Sequence, residues 1–145
     1  MPGFRPASAL ERVFNRVFGL LVGLGLGFKY NYLLRVRGRK SGKLYSTPID
    51  LLEDGQQKFL VAPRGRTQWV RNAEAAGEIT LKKGSSVQKF RLRSLEGKEH
   101  RKILKAYLYR FQCEVQRYFP VPVDSPVSTF EGLESSYPAF ELIAL

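Results

Sequence analysis

Short segments of alternating apolar and polar residues, separated by turn signals, constrain the fold of this chain most. In residues 34–37, apolar and basic residues alternate as they do in a half-buried strand. Similar segments follow at residues 45–52, 58–62, 79–82 and 87–94, and a last strand is predicted at 140–143. Asp54-Gly55 and a turn around Gly84 would join neighbouring strands. Strands this short with turns this frequent predict an antiparallel barrel or sandwich.

The N-terminal part has helical rather than alternating spacing. Residues 8–11 form a capping box, and apolar residues repeat at helical spacing over 10–21. The glycines that follow should end this amphipathic helix, which would pack on the core, lie on a membrane or line an apolar pocket. The apolar run 17–28 is too short to span a bilayer, which needs about 20 residues. Because no cleavage site follows that run, a cytoplasmic protein is predicted.

Two further helices interrupt the predicted strands. The first covers Gln68–Ala76 and should stop at Gly77, and the second covers 98–112 with one apolar face. Residues 118–138 contain four prolines and are predicted to be mostly irregular. Pro48 marks the second strand as an edge strand or the site of a bulge. With 145 residues and no internal repeat, the chain is predicted to form one domain over residues 1–145.

The charge of the chain points to an anionic ligand, and its composition excludes several kinds of site. Lys and Arg number 24 against 13 Asp and Glu, which gives a net charge of +11 and attracts anions of any class. Cys113 and His100 are the only cysteine and histidine, so neither a disulfide nor a Cys/His zinc site can form within the chain. His100 stands in a charge-rich stretch and is predicted to be a solvated helix-start residue rather than part of a hydrolase triad.

The turn at residues 38–43 is the clearest candidate for binding an anion. Its two glycines allow successive backbone N–H groups to point into one concavity. Ser41 adds a hydroxyl, while Arg39, Lys40 and Lys43 add positive charge. The alternative is a solvated hairpin tip whose charges prevent pairing with another edge strand.

A second candidate follows the third predicted strand. A loop containing Gly65 leads into a helix N-terminus, which is itself suited to anions, and Thr67 is placed as its N-cap. Trp69, the only tryptophan, lies in the first turn and could stack on a planar ring, the alternative being a core position. Together the two elements suggest a ligand with an anionic tail and a flat ring.

These segments, in this order, resemble the deazaflavin (coenzyme F-420)-dependent nitroreductase and quinone reductase family. The resemblance rests on residues 32–43, 46–48, Asp54-Gly55, 69–72 and 75–77, with weaker support from the N-terminal helix. It implies an α+β, mainly β fold, which is a split β-barrel of the FMN-binding type with about six antiparallel strands over residues 31–145. An N-terminal helix and a glycine-rich segment (residues 1–30) would precede the barrel, and two further helices would be attached to it. It also implies hydride transfer from the reduced coenzyme to a quinone, nitroaromatic or other electrophile.

The resemblance also implies roles for individual residues. The cofactor-binding residues would be Arg39, Lys40, Ser41 and Gly42 for the acidic tail, Ser46, Thr47 and Pro48 along the channel, Ala62, Arg64 and Gly65 along the ring, and Gln68, Trp69 and Asn72 to complete the pocket. Catalytic residues are not implied, but Tyr107, Tyr109 or Tyr118 would face the substrate. The chain departs from the family at Tyr45, where many members have arginine, and at Asp50, where some have a substrate-side tyrosine.

Alternative ligands and partners stay open from the sequence. FMN would also suit the anion-binding turn, and a non-catalytic binder of nucleic acid, anionic membrane or lipid would also suit the charge. A nucleic-acid surface would need aromatic residues among the basic strands, and few are present. The predicted partner is therefore a small redox substrate, and neither nucleic acid nor a metal is predicted to bind. The protein is predicted to be a monomer or a homodimer. Peripheral membrane contact through the N-terminal helix is the further alternative.

Overall fold

The computed structural model describes residues 30–145, which form seven strands and three helices. The strands are β1 (Asn31–Arg37), β2 (Leu44–Asp50), β3 (Leu52–Asp54), β4 (Gln57–Val61), β5 (Glu78–Lys83), β6 (Ser86–Ser94) and β7 (Ala139–Ala144). The helices are α1 (Gln68–Ala76), α2 (Gly97–Arg110) and α3 (Gln112–Val115), with 3-10 turns at Gln116–Tyr118, Val127–Phe130 and Glu134–Ser136. The predicted N-terminal helix and most of the glycine-rich segment lie outside the described residues.

All seven strands belong to one antiparallel sheet in the order β2-β1-β5-β6-β7-β4-β3. The two end strands, β2 and β3, are separated along the chain by Leu51 alone, so the sheet curls until its ends meet in one continuous segment. At Leu51 the backbone N–H still donates to the carbonyl of Tyr30 at 2.8 Å, next to the Asn31–Asp50 pair, and from Leu52 onward the segment pairs with β4 instead of β1. This break explains why seven strands are observed where about six were predicted.

The curled sheet has a hydrophobic cluster on each side. One cluster joins the strands to α1, through residues such as Leu34, Leu60 and Val70. The other lies under α2, α3 and the 3-10 turns, and includes Leu104 and Phe130, both 0% exposed. Burial of this much apolar surface from both sides fixes the sheet, and it holds α1 against β1 and β5.

Most predicted elements are confirmed, with differences at their ends. Helix α1 has the predicted bounds and stops at Gly77, whose φ of 77° is a left-handed conformation that favours glycine. The last strand, β7, does join the sheet, between β6 and β4. Pro48 lies in β2, which pairs with β1 alone among the described strands, as expected of an edge. The long helix ends at Arg110 rather than 112, and Phe111 separates it from α3.

The prediction of a solvated His100 is wrong. The side chain is buried, and its Nε2 lies 2.7 Å from the carbonyl oxygen of Tyr137. The hydrogen-bonded carbonyl belongs to the C-terminal segment that packs over α2, which no local sequence pattern shows. Within residues 30–145, no helix is long and apolar enough to cross a membrane.

Candidate cofactor site

The turn of residues 38–43, which the sequence predicts to bind an anion and which is called the anion-binding turn from here on, closes the β1–β2 hairpin through backbone hydrogen bonds. The N–H of Gly38 donates to the Lys43 carbonyl at 2.7 Å, and the N–H of Gly42 donates to the Gly38 carbonyl at 3.0 Å. Gly42 has φ of 74°, which other residues rarely adopt. Gly38 is required for another reason: a Cβ there would lie 2.6 Å from Cε2 of the Tyr45 ring. Tyr45 therefore packs on the turn in place of a side chain.

Two backbone N–H groups of this turn remain available to a ligand. The N–H of Lys43 donates to Ser41 Oγ at 3.2 Å, and that oxygen lies 3.2 Å from the Tyr45 hydroxyl. Within residues 30–145, neither the N–H of Lys40 nor that of Ser41 has a hydrogen-bond partner. Successive unpaired N–H groups beside a lysine are the arrangement that binds phosphate or carboxylate.

Arg39 joins the anion-binding turn to α1. Its backbone N–H donates to Oδ1 of Asn72 at 3.1 Å, and its Nη1 donates to the same oxygen at 2.7 Å. The same Nη1 also contacts Oε1 of Gln68 at 3.0 Å. Asn72 is only 5% exposed, whereas Arg39 is exposed, so the contact is part-buried at the protein surface. The two elements inferred separately from the sequence, 33 residues apart, thus form one surface.

The N-terminus of α1 contains an unpaired hydroxyl. Thr67 occupies the predicted N-cap position, but its side chain makes no capping hydrogen bond. Its Oγ1 is buried without a partner among the residues described. The loop before it is tight, with Gly65 at φ of 84° donating to the Ala62 carbonyl at 3.2 Å. A buried hydroxyl without a partner costs about 1–3 kcal/mol, and a ligand acceptor beside it would recover this energy.

The remaining residues assigned to the cofactor differ in their accessibility. Ser46 is exposed and Pro48 half-buried on β2, whose outer edge is unpaired within residues 30–145. Thr47, Arg64 and Trp69 are also half-buried, and Trp69 packs against the core cluster around α1. The Ala62 side chain is 1% exposed in the same cluster, so a ligand could reach only its backbone.

A second group of polar residues lies at the far end of the β1–β2 hairpin. Asp50 accepts a hydrogen bond from Asn31 Nδ2 at 2.7 Å, and the Tyr30 hydroxyl donates to Glu114 Oε1 at 3.0 Å. Burial and the neighbouring Glu114 carboxyl raise the pKa of Asp50 to about 8. Burial, with a contribution from Glu114, raises the pKa of Tyr30 to about 12. Sequence reasoning singled out Asp50 but missed Glu114, which is 64 residues away and belongs to no motif.

The tyrosines predicted to face the substrate are placed differently from one another. Tyr107 is 3% exposed, and burial, with the nearby Asp50, Glu114 and Tyr118, raises its pKa well above the usual value. Tyr118 is half-buried beside it, whereas Tyr109 is 64% exposed. Tyr107 and Tyr118 are therefore close to the polar group around Asp50, and Tyr109 is not among the residues that interact with it.

An open cavity of about 260 Å³ adjoins this second group. It is lined by Tyr30, Arg110, Phe111, Gln112, Cys113 and Glu114. The Arg110 guanidinium lies 5.1 Å from the centre of the Tyr30 ring, so the wall combines aromatic surface, one cation and one carboxyl. In the part of the chain that the structure describes, no group of three or more His, Cys, Asp or Glu side chains could hold a metal ion.

Comparison with protein families identifies the family of the chain and with it the cofactor. The family described as F420H(2)-dependent quinone reductase matches residues 11–126 of the chain. The chain belongs to this family. It is therefore an oxidoreductase that uses the reduced deazaflavin coenzyme, and the deazaflavin rather than FMN is its cofactor. This confirms the resemblance found in the sequence.

Solved structures support the fold of this quinone reductase family member. A protein described as F420-H2 dependent reductase (FDR-A) matches with a TM-score of 0.55 and 21% identity over 79% of this chain and 94% of the other. A domain-swapped dimer matches with a TM-score of 0.57 and 21% identity over 92% of each chain. A putative pyridoxamine 5'-phosphate oxidase from Listeria innocua matches with a TM-score of 0.52 and 9% identity, over 79% of this chain and 83% of the other. A search of curated proteins gives no significant match.

Whether this chain is a monomer or a homodimer stays a prediction.

Proposed function

We propose that this chain binds the reduced deazaflavin coenzyme between the anion-binding turn and α1, and passes its hydride to a quinone, nitroaromatic or other electrophile. The observation that carries this proposal is the contact of Arg39 with Asn72, because it joins the two elements predicted to bind anions into one surface. The coenzyme supplies the hydride chemistry, so the protein has to bind, orient and shield it. The presence of only one His and one Cys in the chain is compatible with chemistry that the coenzyme supplies.

Each element of the site has a suitable role toward the coenzyme. Lys40 and the N–H groups of Lys40 and Ser41 would hold the phosphate and the acidic tail. Arg39 is a positioning residue, because its Nη1 already donates to α1 and its charge remains beside the turn. The unpaired Thr67 hydroxyl at the start of α1 supplies a further donor. The net charge of +11 would attract the polyanionic tail from a distance.

The unpaired edge of β2 would form the channel between tail and ring. Ser46 and Pro48 lie on this edge, directly after the anion-binding turn, and no described strand covers it. We propose that the curled sheet is a split barrel of the FMN-binding type, opened at this edge for the cofactor. The loop of residues 62–67 then lies at the start of α1, where it would contact the ring system.

Titration of the protein with the deazaflavin coenzyme, followed by coenzyme fluorescence, tests the site directly. The wild-type chain is expected to bind, and Lys40→Ala to bind about 10- to 100-fold more weakly, because a hydrogen bond to a charged group contributes about 1.5–3 kcal/mol. Lys102→Ala is the matched control, since it removes one exposed positive charge from α2. Absence of wild-type binding would contradict the proposed function, and equal affinities of the two variants would contradict the proposed site.

A further inference from the structure

Tyr45 places a phenol ring against the anion-binding turn. It is the second residue of β2, and its side chain is 48% exposed. Its Cε2 and Cδ2 lie 2.6 and 3.3 Å from the place that a Cβ of residue 38 would occupy, so the ring lies across the backbone of Gly38. Gly38 is not among the glycines with positive φ. The room taken by the ring, rather than the backbone conformation, therefore requires a glycine at this position.

The side chain of Tyr45 emerges on the side of the sheet where α1 docks. Tyr45 is paired with Val36 of β1, and directly opposite residues of an antiparallel pair point to the same face. Val36 is 2% exposed and belongs to the hydrophobic cluster that joins the strands to α1. The phenol is thus on the same side of the hairpin as the helix that Arg39 contacts through Asn72.

The backbone of the anion-binding turn offers donors rather than acceptors near this ring. The Gly38 carbonyl accepts from Gly42 at 3.0 Å, the Lys43 carbonyl accepts from Gly38 at 2.7 Å, and the Gly42 carbonyl accepts from Arg37 Nη1 at 2.7 Å. The two N–H groups that follow Arg39 have no hydrogen-bond partner within residues 30–145. Such a surplus of donors suits an oxyanion.

The hydroxyls of Ser41 and Tyr45 form a pair that has one hydrogen to spare. Their oxygens are 3.2 Å apart, and Ser41 Oγ also accepts the N–H of Lys43 at 3.2 Å. Each hydroxyl has one hydrogen, and their mutual bond uses one of the two, whichever residue donates it. Neither hydroxyl has another partner among the residues described. One O–H group of the pair is therefore available to a ligand.

Ser41 is the inner member of this pair, and Tyr45 is the outer one. Ser41 Oγ lies 2.9 Å from the place that a Cβ of residue 38 would occupy, and it is bonded to the backbone of its own turn through Lys43. The Tyr45 hydroxyl stands at the tip of a long, exposed side chain. A ligand between the turn and α1 would meet the Tyr45 hydroxyl first.

We propose that Tyr45 is a further binding residue for the coenzyme, and that its hydroxyl, held by Ser41, donates a hydrogen bond to an anionic oxygen of the coenzyme tail. This inference rests on the proposed function. The phenol is a neutral donor beside the positive charge of Lys40. A hydrogen bond requires close, nearly linear contact, so Tyr45 would fix the position of the tail oxygen, whereas the charges attract the tail from a distance. Ser41 is a positioning residue, because its hydroxyl acts through that of Tyr45.

Titration with the deazaflavin coenzyme tests the phenol by removal of a single oxygen. Tyr45→Phe keeps the ring on Gly38, so its Tm should stay near that of wild type, and it is expected to bind the coenzyme about tenfold more weakly, as for loss of a hydrogen bond to a charged group. Tyr32→Phe, which removes a phenol hydroxyl from a half-buried position on β1, is the matched control and should bind as wild type does. Wild-type affinity in Tyr45→Phe would overturn the inference.

The salt dependence of affinity separates a direct hydrogen bond from a structural role. Salt screens the attraction between separated charges, so the loss caused by Lys40→Ala should shrink between about 0.05 M and about 0.5 M salt. The loss caused by Tyr45→Phe should stay the same, because a neutral donor in direct contact is not screened. If Tyr45→Phe acted by disordering the charged turn, its loss would shrink as well, and that result would refute a direct contact.

A double-mutant cycle measures the coupling of the two hydroxyls. Ser41→Ala is expected to weaken coenzyme binding about threefold, as for loss of a hydrogen bond between neutral groups. Ser41→Ala combined with Tyr45→Phe should bind no more weakly than Tyr45→Phe alone, because Ser41 acts through Tyr45. Additive losses would overturn the inference. Absence of coenzyme binding by the wild-type chain would instead contradict the proposed function, and the inference with it.

Discussion

Replacing Asn72 with leucine is expected to weaken both the fold and the binding of the deazaflavin coenzyme. The substitution leaves the N–H and Nη1 of Arg39 without their shared acceptor, Oδ1 of Asn72. Unsatisfied groups of this kind cost about 1–3 kcal/mol, which for a domain of this size lowers Tm by roughly 3–10 °C. The anion-binding turn would no longer be held against α1, so ordering it would consume binding energy. An affinity loss of about tenfold or more is expected.

Asn72→Asp is the matched control for this prediction. Aspartate keeps the oxygen acceptors and adds a charge opposite to that of Arg39, so turn and helix stay joined. Its Tm should lie close to that of wild type, whereas the added carboxylate neutralises Arg39 beside the turn and should weaken binding of the acidic tail. If Asn72→Leu bound the coenzyme as tightly as wild type while losing stability, the contact would be structural only, and the site would not depend on the union of the two elements.

The second large effect is a dependence of stability on pH that Asp50 controls. Its pKa is about 8 in the folded protein, against about 4 in an unfolded chain, so the folded state binds the proton more tightly. The stabilisation is complete below pH 4 and is lost as the pH rises toward 8. For one group, stability falls by at most about 1.4 kcal/mol per pH unit in this interval. From pH 5 to 7 that is about 3 kcal/mol, or roughly 8 °C in Tm.

Thermal unfolding of wild type and Asp50→Asn between pH 5 and 8 measures this effect. The variant has no titrating carboxyl at this position, so its Tm should fall less steeply with pH than that of wild type. The amide oxygen that the substitution introduces could still accept the hydrogen bond from Asn31, which limits the damage to packing. Glu131→Gln should keep the wild-type dependence. Parallel curves for wild type and Asp50→Asn would show that Asp50 does not hold a proton in the folded state.

The parts of the fold that local chemistry determines could be predicted from the sequence. Gly77 ends α1 and Gly55 turns β3 into β4 because both have positive φ, which glycine adopts without steric cost. The alternation of Leu34 and Val36 with basic residues follows from a strand with one face in the core. The break at Leu51 could not be predicted, because it depends on the segment changing its partner strand from β1 to β4.

For the site, the sequence identified residue types but not their contacts. That Arg39 binds the anion stays a prediction. The sequence did not show that its Nη1 also donates to Gln68 and Asn72, a contact that exists only once α1 docks against β1. His100 was expected in solvent because its neighbours in sequence are charged, but the C-terminal segment covers it. The pairing of Asp50 with Glu114 likewise depends on how α3 packs against the end of β2, which the spacing of apolar residues does not encode.

The continuous segment from Leu44 to Asp54 has a consequence for how this protein can tolerate change in length. Because the same segment pairs with β1 at one end and with β4 at the other, both of its ends are anchored to neighbouring strands. A single deletion between Ser46 and Leu51 would therefore have no loop to absorb it. It would turn the side chains beyond it to the opposite face, which would withdraw Asp50 from Asn31 and move Leu52 out of the core. Insertions and deletions are consequently expected to accumulate in the loops of residues 118–138 and to be absent from this closing segment.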